Sequence, residues 1–241
     1  MNLSETSLLL TRPRVASERF ASEVQSALGP VGEICISPLI DIVPLPLPDE
    51  VRNGKVFAFT SENAARVFSN TASGKGRRAY CVGQRTAQAA RAAGFETLQA
   101  GGDVAALTQV IRADAPSDPV LHLGGRHQSG DLAGALTQSG LRAKRHVIYD
   151  QEERPFSAAA HALLNGDGDV VAPVFSPRTA RIFRGAMPPQ CARIHLVALS
   201  RAVAEAWGAN TGQGSVTIAR DPTSAAMIAA MAGLIDAGPL A

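Results

Sequence analysis

Short apolar runs and longer segments of helical periodicity take turns along this chain, from Leu8 to beyond residue 220. Residues 8–11 (Leu-Leu-Leu-Thr) read as a buried strand. Residues 16–28 then put Phe20, Val24 and Leu28 on one helical face and stop at Gly29. Residues 55–60 form a second buried strand, and Ser61 is placed to cap a helix running through Phe68. Residues 79–82 lead through Gly83 into a helix ending at Gly94. A strand at 120–123 precedes a helix stopped by Gly140, and strands follow at 170–174 and 194–197. Asp221-Pro222 is expected to open the last helix, with Asp as cap and Pro at the first helical position. Such alternation predicts parallel sheets covered by helices.

Two stretches interrupt the pattern. Residues 37–48 (SPLIDIVPLPLP) hold four prolines, which excludes an ordinary helix or a central strand. Residues 145–155 (RHVIYDQEERP) are extended and then charged. Their positions suit two linker passes between two domains. An internal repeat points the same way. Phe59-Thr60-Ser61 followed by Ala65-Arg66-Val67-Phe68 parallels Phe175-Ser176-Pro177 followed by Ala180-Arg181-Ile182-Phe183. A looser match links the stretch from Tyr80 to Ala87 with that from His195 to Ala202.

Composition narrows the function classes. The 241 residues are 46% hydrophobic and 18% charged, enough for a sizeable core, and no apolar run reaches membrane-spanning length. No export signal opens the sequence, so a cytoplasmic location is expected. Cys35, Cys81 and Cys191 fit no zinc or disulfide spacing and read as buried small hydrophobes. A net charge of +2 and few aromatics speak against nucleic-acid binding. Among the 23 basic residues only Lys55, Lys75 and Lys144 are lysines, and the arginine forks that remain suit carboxylates and phosphates. Gly74-Lys75-Gly76-Arg77-Arg78-Ala79 has the letters of a dinucleotide fingerprint but precedes a strand, so it reads as an exposed turn. No Walker loop, His-Glu-x-x-His or Gly-x-Ser-x-Gly elbow occurs, and no metal or organic cofactor is called for.

The strand-to-helix junctions are what remain: Thr11-Arg12, Thr60-Ser61, Gly83 to Thr86, Gly124-Gly125-Arg126, Phe175-Ser176 and Leu199-Ser200. In parallel sheets they lie at the carboxyl ends of the strands, where helix N-termini attract anions. Each serine alone is accounted for as a plain N-cap; junctions from two domains facing one cleft would hold a polyanion.

In this order the junctions, with Val147-Ile148-Tyr149 and Asp221-Pro222-Thr223 between and after them, resemble the uroporphyrinogen-III synthase family from about Leu8 to Ile235. The resemblance implies two similar parallel-sheet α/β domains joined by a two-stranded linker, with a ligand cleft between them. One domain would be discontinuous (1–38 plus 153–241), the other inserted (43–146), with linker passes at 37–48 and 145–155. It implies a cofactor-free lyase that closes hydroxymethylbilane, a linear tetrapyrrole bearing eight carboxylates, with loss of water and inversion of the last ring through a spiro intermediate. It also implies a monomer, in transient contact at most with hydroxymethylbilane synthase. Tyr149 matches the linker tyrosine that assists departure of the hydroxyl; a core aromatic with a satisfied hydroxyl is the other reading. Ser61, Gly83, Thr86, Gly125, Ser176 and Ser200 match cleft positions, and Arg12 and Arg126 are added as carboxylate contacts. The loop Leu199-Ser200-Arg201 departs from relatives that carry Gly and threonines there.

Two other bilobal architectures compete. One is a small-molecule binding or sensory domain without chemistry, which would close on a ligand without turnover. The other is a nucleotide-sugar transferase, for which a longer chain and a phosphate-binding glycine loop are expected.

Overall fold

A computed structural model describes residues 6–127, 130–189, 191–208 and 214–236 of the chain. Strand β1 (Ser7–Leu10) is almost wholly apolar and buried, and α1 (Arg14–Leu28) follows directly after Pro13. Gly29 ends that helix with φ 83°, a left-handed value that favours glycine. The short strand β2 (Ile34–Ile36) comes next. The proline-rich segment contributes β3 (Ile40–Pro44), and α2 (Asp49–Asn53) follows Pro48. The chain then alternates through β4 (Val56–Phe59), α3 (Glu62–Ser69), β5 (Arg78–Cys81), α4 (Gln84–Ala92), β6 (Glu96–Gln99), α5 (Val104–Asp114), β7 (Val120–Gly125) and α6 (Leu132–Gln138). The long strand β8 (Ala143–Glu153) precedes α7 (Ala158–Leu164), β9 (Asp169–Val174), α8 (Pro177–Ala186), β10 (Arg193–Ala198), α9 (Arg201–Trp207), β11 (Gly214–Ile218) and α10 (Ser224–Asp236).

The chain divides into two compact units, Met1–Asp41 with Glu153–Ala241, and Ile42–Glu152. The first holds a five-stranded sheet in the order β11-β10-β9-β1-β2, and the other sheet runs β3-β8-β7-β4-β5-β6. The fold is therefore α/β with two parallel-dominated sheets. The exception is β3. Leu45 N–H donates to the Ile148 carbonyl at 2.8 Å and Arg154 N–H to the Leu39 carbonyl at 3.0 Å, so numbering falls along one strand as it rises along the other. That antiparallel edge position is one that a proline-containing strand can occupy.

The two topologies are circular permutations of each other. Starting at β4, the second unit reads β4-β5-β6-β7-β8 in sequence and β8-β7-β4-β5-β6 in space. Starting at β9 and continuing into β1 and β2, the first unit gives the same spatial order. The central strands are buried almost continuously, and their alternating side chains feed a core on either face. In the first unit Leu9, Ala172 and Leu196 meet α7, α8 and α9, whereas Leu8, Leu10 and Val197 meet α1 and α10. In the second, Phe57, Phe59 and Leu121 face α3 and α4, and Ala58, Tyr80 and Val120 face α5 and α6. Phe57, Phe68 and Phe95 pack with ring centroids 5.0–5.4 Å apart.

Three local expectations need correction. The last helix opens at Ser224, not at Pro222. Thr223 N–H turns back to the Asp221 carbonyl at 2.8 Å, which puts Pro222 inside a tight turn, and the Thr223 hydroxyl takes over the capping bond from Ala226 N–H at 3.1 Å. Cys191 is only half-buried, unlike Cys35 and Cys81. The turn expected from Gly74 does form, with Arg77 N–H donating to the Gly74 carbonyl at 3.0 Å and Lys75 and Gly76 exposed, but Gly74 itself is buried, since a Cβ there would fall 2.4 Å from the Phe95 ring.

Candidate functional site

Within the second unit, β4 and β7 lie side by side although β5 and β6 separate them in sequence. The connection leaving β4 and the connection leaving β7 run to opposite sides, and a crevice opens between their carboxyl ends. A depression of about 470 Å³ occupies this place, lined among others by Thr60, Ser61, Val82, Gly125, His127 and Tyr149.

Tyr149 reaches it through an irregularity in strand pairing. Along β7 and β8 the partners run in step to Gly124 opposite Val147, and then Gly125 stands opposite Tyr149, so β8 has one extra residue. Such a bulge re-aims a side chain. The ring packs against Gly125, where a Cβ would come within 2.5 Å of Cε2 and 3.0 Å of the hydroxyl, so only glycine leaves room. Tyr149 is 3% exposed. Burial pushes its hydroxyl pKa up, opposed by hydrogen bonds with the Ser61 side chain and the Gly125 backbone and by the nearby Arg145 charge. At neutral pH the group is thus a neutral phenol that can donate a hydrogen bond. Ser61 also caps α3, its Oγ accepting from Asn63 N–H at 3.2 Å.

Of the residues singled out in the sequence, Ser61, Gly125 and Tyr149 come together in this depression. Gly83 precedes α4 in extended conformation, and Thr86 is buried in the first turn of that helix; neither belongs to the lining. Arg126 is also outside it, largely exposed, with Nε donating to Asp150 Oδ2 at 2.6 Å.

The first unit repeats the arrangement at the β1–β9 seam. Arg12 follows β1, and its guanidinium lies over the Phe175 ring at 4.1 Å, a cation–π contact. Ser176 caps α8, accepting from Thr179 N–H at 3.1 Å, with a further bond to the Thr179 hydroxyl. Ser200 stands before α9 without a side-chain capping bond. Backbone angles agree across the repeat: Ser61 (−146°, 138°) matches Ser176 (−148°, 148°), and Gly83 (−159°, 178°) matches Ser200 (−158°, 168°).

Sequence reasoning passed over His127, which lines the depression, and His122, which lies beneath Thr60. The signal for His122 was present, as the single polar residue in the run Val120-Leu121-His122-Leu123. Among the described residues no helix is long and apolar enough to cross a membrane.

A family model for HEM4, uroporphyrinogen-III synthase HemD, matches residues 21–229. No curated protein sequence matches. The fold is similar to the crystal structure of uroporphyrinogen-III synthetase from Helicobacter pylori, with a TM-score of 0.66, 15% identity, and coverage of 95% of this chain and 99% of that one. A mutant uroporphyrinogen III synthase from the extremely thermophilic bacterium Thermus thermophilus aligns at a TM-score of 0.49 and 15% identity, over 95% of this chain and 97% of that one.

Proposed function

Because the chain belongs to the uroporphyrinogen-III synthase family, we propose that it is a hydro-lyase that closes hydroxymethylbilane to uroporphyrinogen III. The family match over residues 21–229 carries this reading. In the reaction the terminal hydroxymethyl group takes up a proton and loses its oxygen as water, the electron-rich pyrrole chain stabilises the cation left behind, and the proton is given back when the last ring loses its α-hydrogen on closure. The far ring attacks through its substituted carbon, and the resulting spiro centre opens and recloses with that ring inverted.

Such chemistry asks for geometry and hydrogen bonding more than for a strong acid. Tyr149 is suited to donate to the departing hydroxyl while staying un-ionised, since burial raises its pKa. The hydroxyl of Ser61 orients the phenol, and Gly125 gives the ring its bed. The junctions at Arg12, Gly83, Thr86, Ser176 and Ser200 are assigned to the carboxylates of the substrate, through backbone N–H groups at helix N-termini more than through side chains. Arg126 is assigned the same role, and it must exchange Asp150 for a substrate carboxylate to fill it. We assign the enzyme to the cytoplasm and to tetrapyrrole biosynthesis as a monomer, with no nucleic-acid or membrane partner. Any contact with hydroxymethylbilane synthase would be transient.

The test supplies porphobilinogen and hydroxymethylbilane synthase, adds the purified protein, oxidises the products and separates the uroporphyrin isomers. Spontaneous closure gives isomer I. A shift to isomer III is the expected result, and isomer I alone from folded protein overturns the assignment in favour of a binding domain without chemistry.

A further inference from the structure

His122 sits in the middle of β7, 2% exposed, on the face of the sheet that packs against α5 and α6. Its Nε2 lies 3.2 Å from the Thr60 hydroxyl, and Thr60 lines the depression beside Ser61. Among the described residues Nδ1 is buried and has no hydrogen-bond partner. Burial first, and then the Arg145 charge, lower the pKa of the imidazole to about 4 against the opposing pull of Asp131. The ring is therefore neutral at physiological pH, with one proton to place on one of two nitrogens.

The environment decides which. A proton on Nδ1 would leave a buried N–H with no acceptor and oblige Thr60 to spend its only proton on Nε2. A proton on Nε2 makes the bond to Thr60 oxygen and leaves only a bare lone pair at Nδ1. A buried orphan donor is the rarer arrangement in proteins. With its oxygen accepting from His122 below, the Thr60 hydroxyl keeps its own proton free to donate into the depression. The β-branched side chain, stiff about χ1, holds the oxygen in place.

We propose that His122 is a positioning residue: by donating from Nε2 to Thr60 it turns the Thr60 hydroxyl into a dedicated donor for a carboxylate of the bound tetrapyrrole. The carboxylate reading, unlike a pyrrole N–H, follows from that free proton, because an O–H donor needs an acceptor. The inference rests on the substrate class assigned above.

Two measurements test it. The first is independent of turnover: the ¹⁵N shifts of histidine-labelled protein, with the His122 signals identified by their loss in His122→Gln, report the tautomer. Nε2–H is expected, and Nδ1–H overturns the proposal. The second measures the KM for hydroxymethylbilane together with the Kd for uroporphyrin III, an octacarboxylate, by fluorescence titration. Thr60→Val is expected to raise both about tenfold with little change in kcat, the effect of one hydrogen bond to a charged group. His122→Leu should match it, His122→Gln should restore most of the loss because its amide reaches the same oxygen, and Thr60→Val/His122→Leu should be no worse than either alone. Additive losses, or an unchanged Kd in Thr60→Val, overturn it. Wild-type protein yielding only isomer I while the Kd pattern holds would instead overturn the assigned reaction and leave this inference standing.

Discussion

At the scale of single residues, the depression depends on a contact that leaves no tolerance. Gly125→Ala would put a methyl group 2.5 Å from the Tyr149 ring. Overpacking of this kind costs about 1–3 kcal/mol, and the ring must leave its place. We expect a lower Tm and a loss of isomer III formation together. Tyr149→Phe separates the two effects. It keeps the ring on Gly125 and removes only the hydroxyl, so Tm should hold while kcat drops about a hundredfold, the low end of what a positioned acidic group supplies. Equal kcat in Tyr149→Phe would remove the tyrosine from the chemistry. Tyr149 was legible as a candidate, but the reason for Gly125 was not. It depends on a one-residue bulge between β7 and β8, and nothing in the local letters marks where two strands fall out of step. His122 was hidden for a related cause, since a lone polar residue in an apolar strand declares burial but not which side chain lies above it.

Among the elements, β9, β10 and β11 are tied by a polar clasp. Arg193 Nε and Nη2 donate to the two carboxylate oxygens of Asp169 at 2.7 and 2.9 Å. His195 bridges Asp169 at 2.9 Å and Ser215 at 2.9 Å. The Arg193 bonds first, and His195 second, hold the Asp169 carboxyl well below the usual carboxylate range. Its folded pKa is depressed, so the stabilisation is present in full above the unfolded value of about 3.9 and is lost as pH falls through the folded one. Asp169→Asn should lower Tm at pH 7 by about 2–4 °C, the shift that about 1 kcal/mol gives a chain of this size. Melts repeated below pH 4 should show the gap closing, and a gap independent of pH would assign the loss to packing. The strong strand–helix pairs were readable because apolar runs, caps and stopping glycines agree. β6 and β11 were missed, because at the sheet edges Glu96-Thr97-Leu98-Gln99 and Gly214-Ser215-Val216-Thr217-Ile218 lack the continuous apolar run of a central strand.

For the whole molecule, the permuted topology makes the two units unequal. Ile42–Glu152 is one continuous stretch with cores on both faces of its sheet. Expressed alone, it is expected to fold with a single cooperative melt and dispersed amide resonances, and a molten or aggregated product would count against its independence. The other unit needs both of its segments, since β1 pairs with β2 on one side and β9 on the other. The repeat of serine junctions made two related units legible in the sequence; the permutation was not, because strand order appears only once strands pair. It also sets a timetable on the ribosome. Leu8 finds its partner in Val171, 163 residues downstream, whereas the continuous unit is complete once residue 152 has left the exit tunnel. At roughly 5–20 residues per second the Leu-Leu-Leu strand waits on the order of ten to thirty seconds for β9. During that interval its exposed edge is the part of the nascent chain with most need of a chaperone.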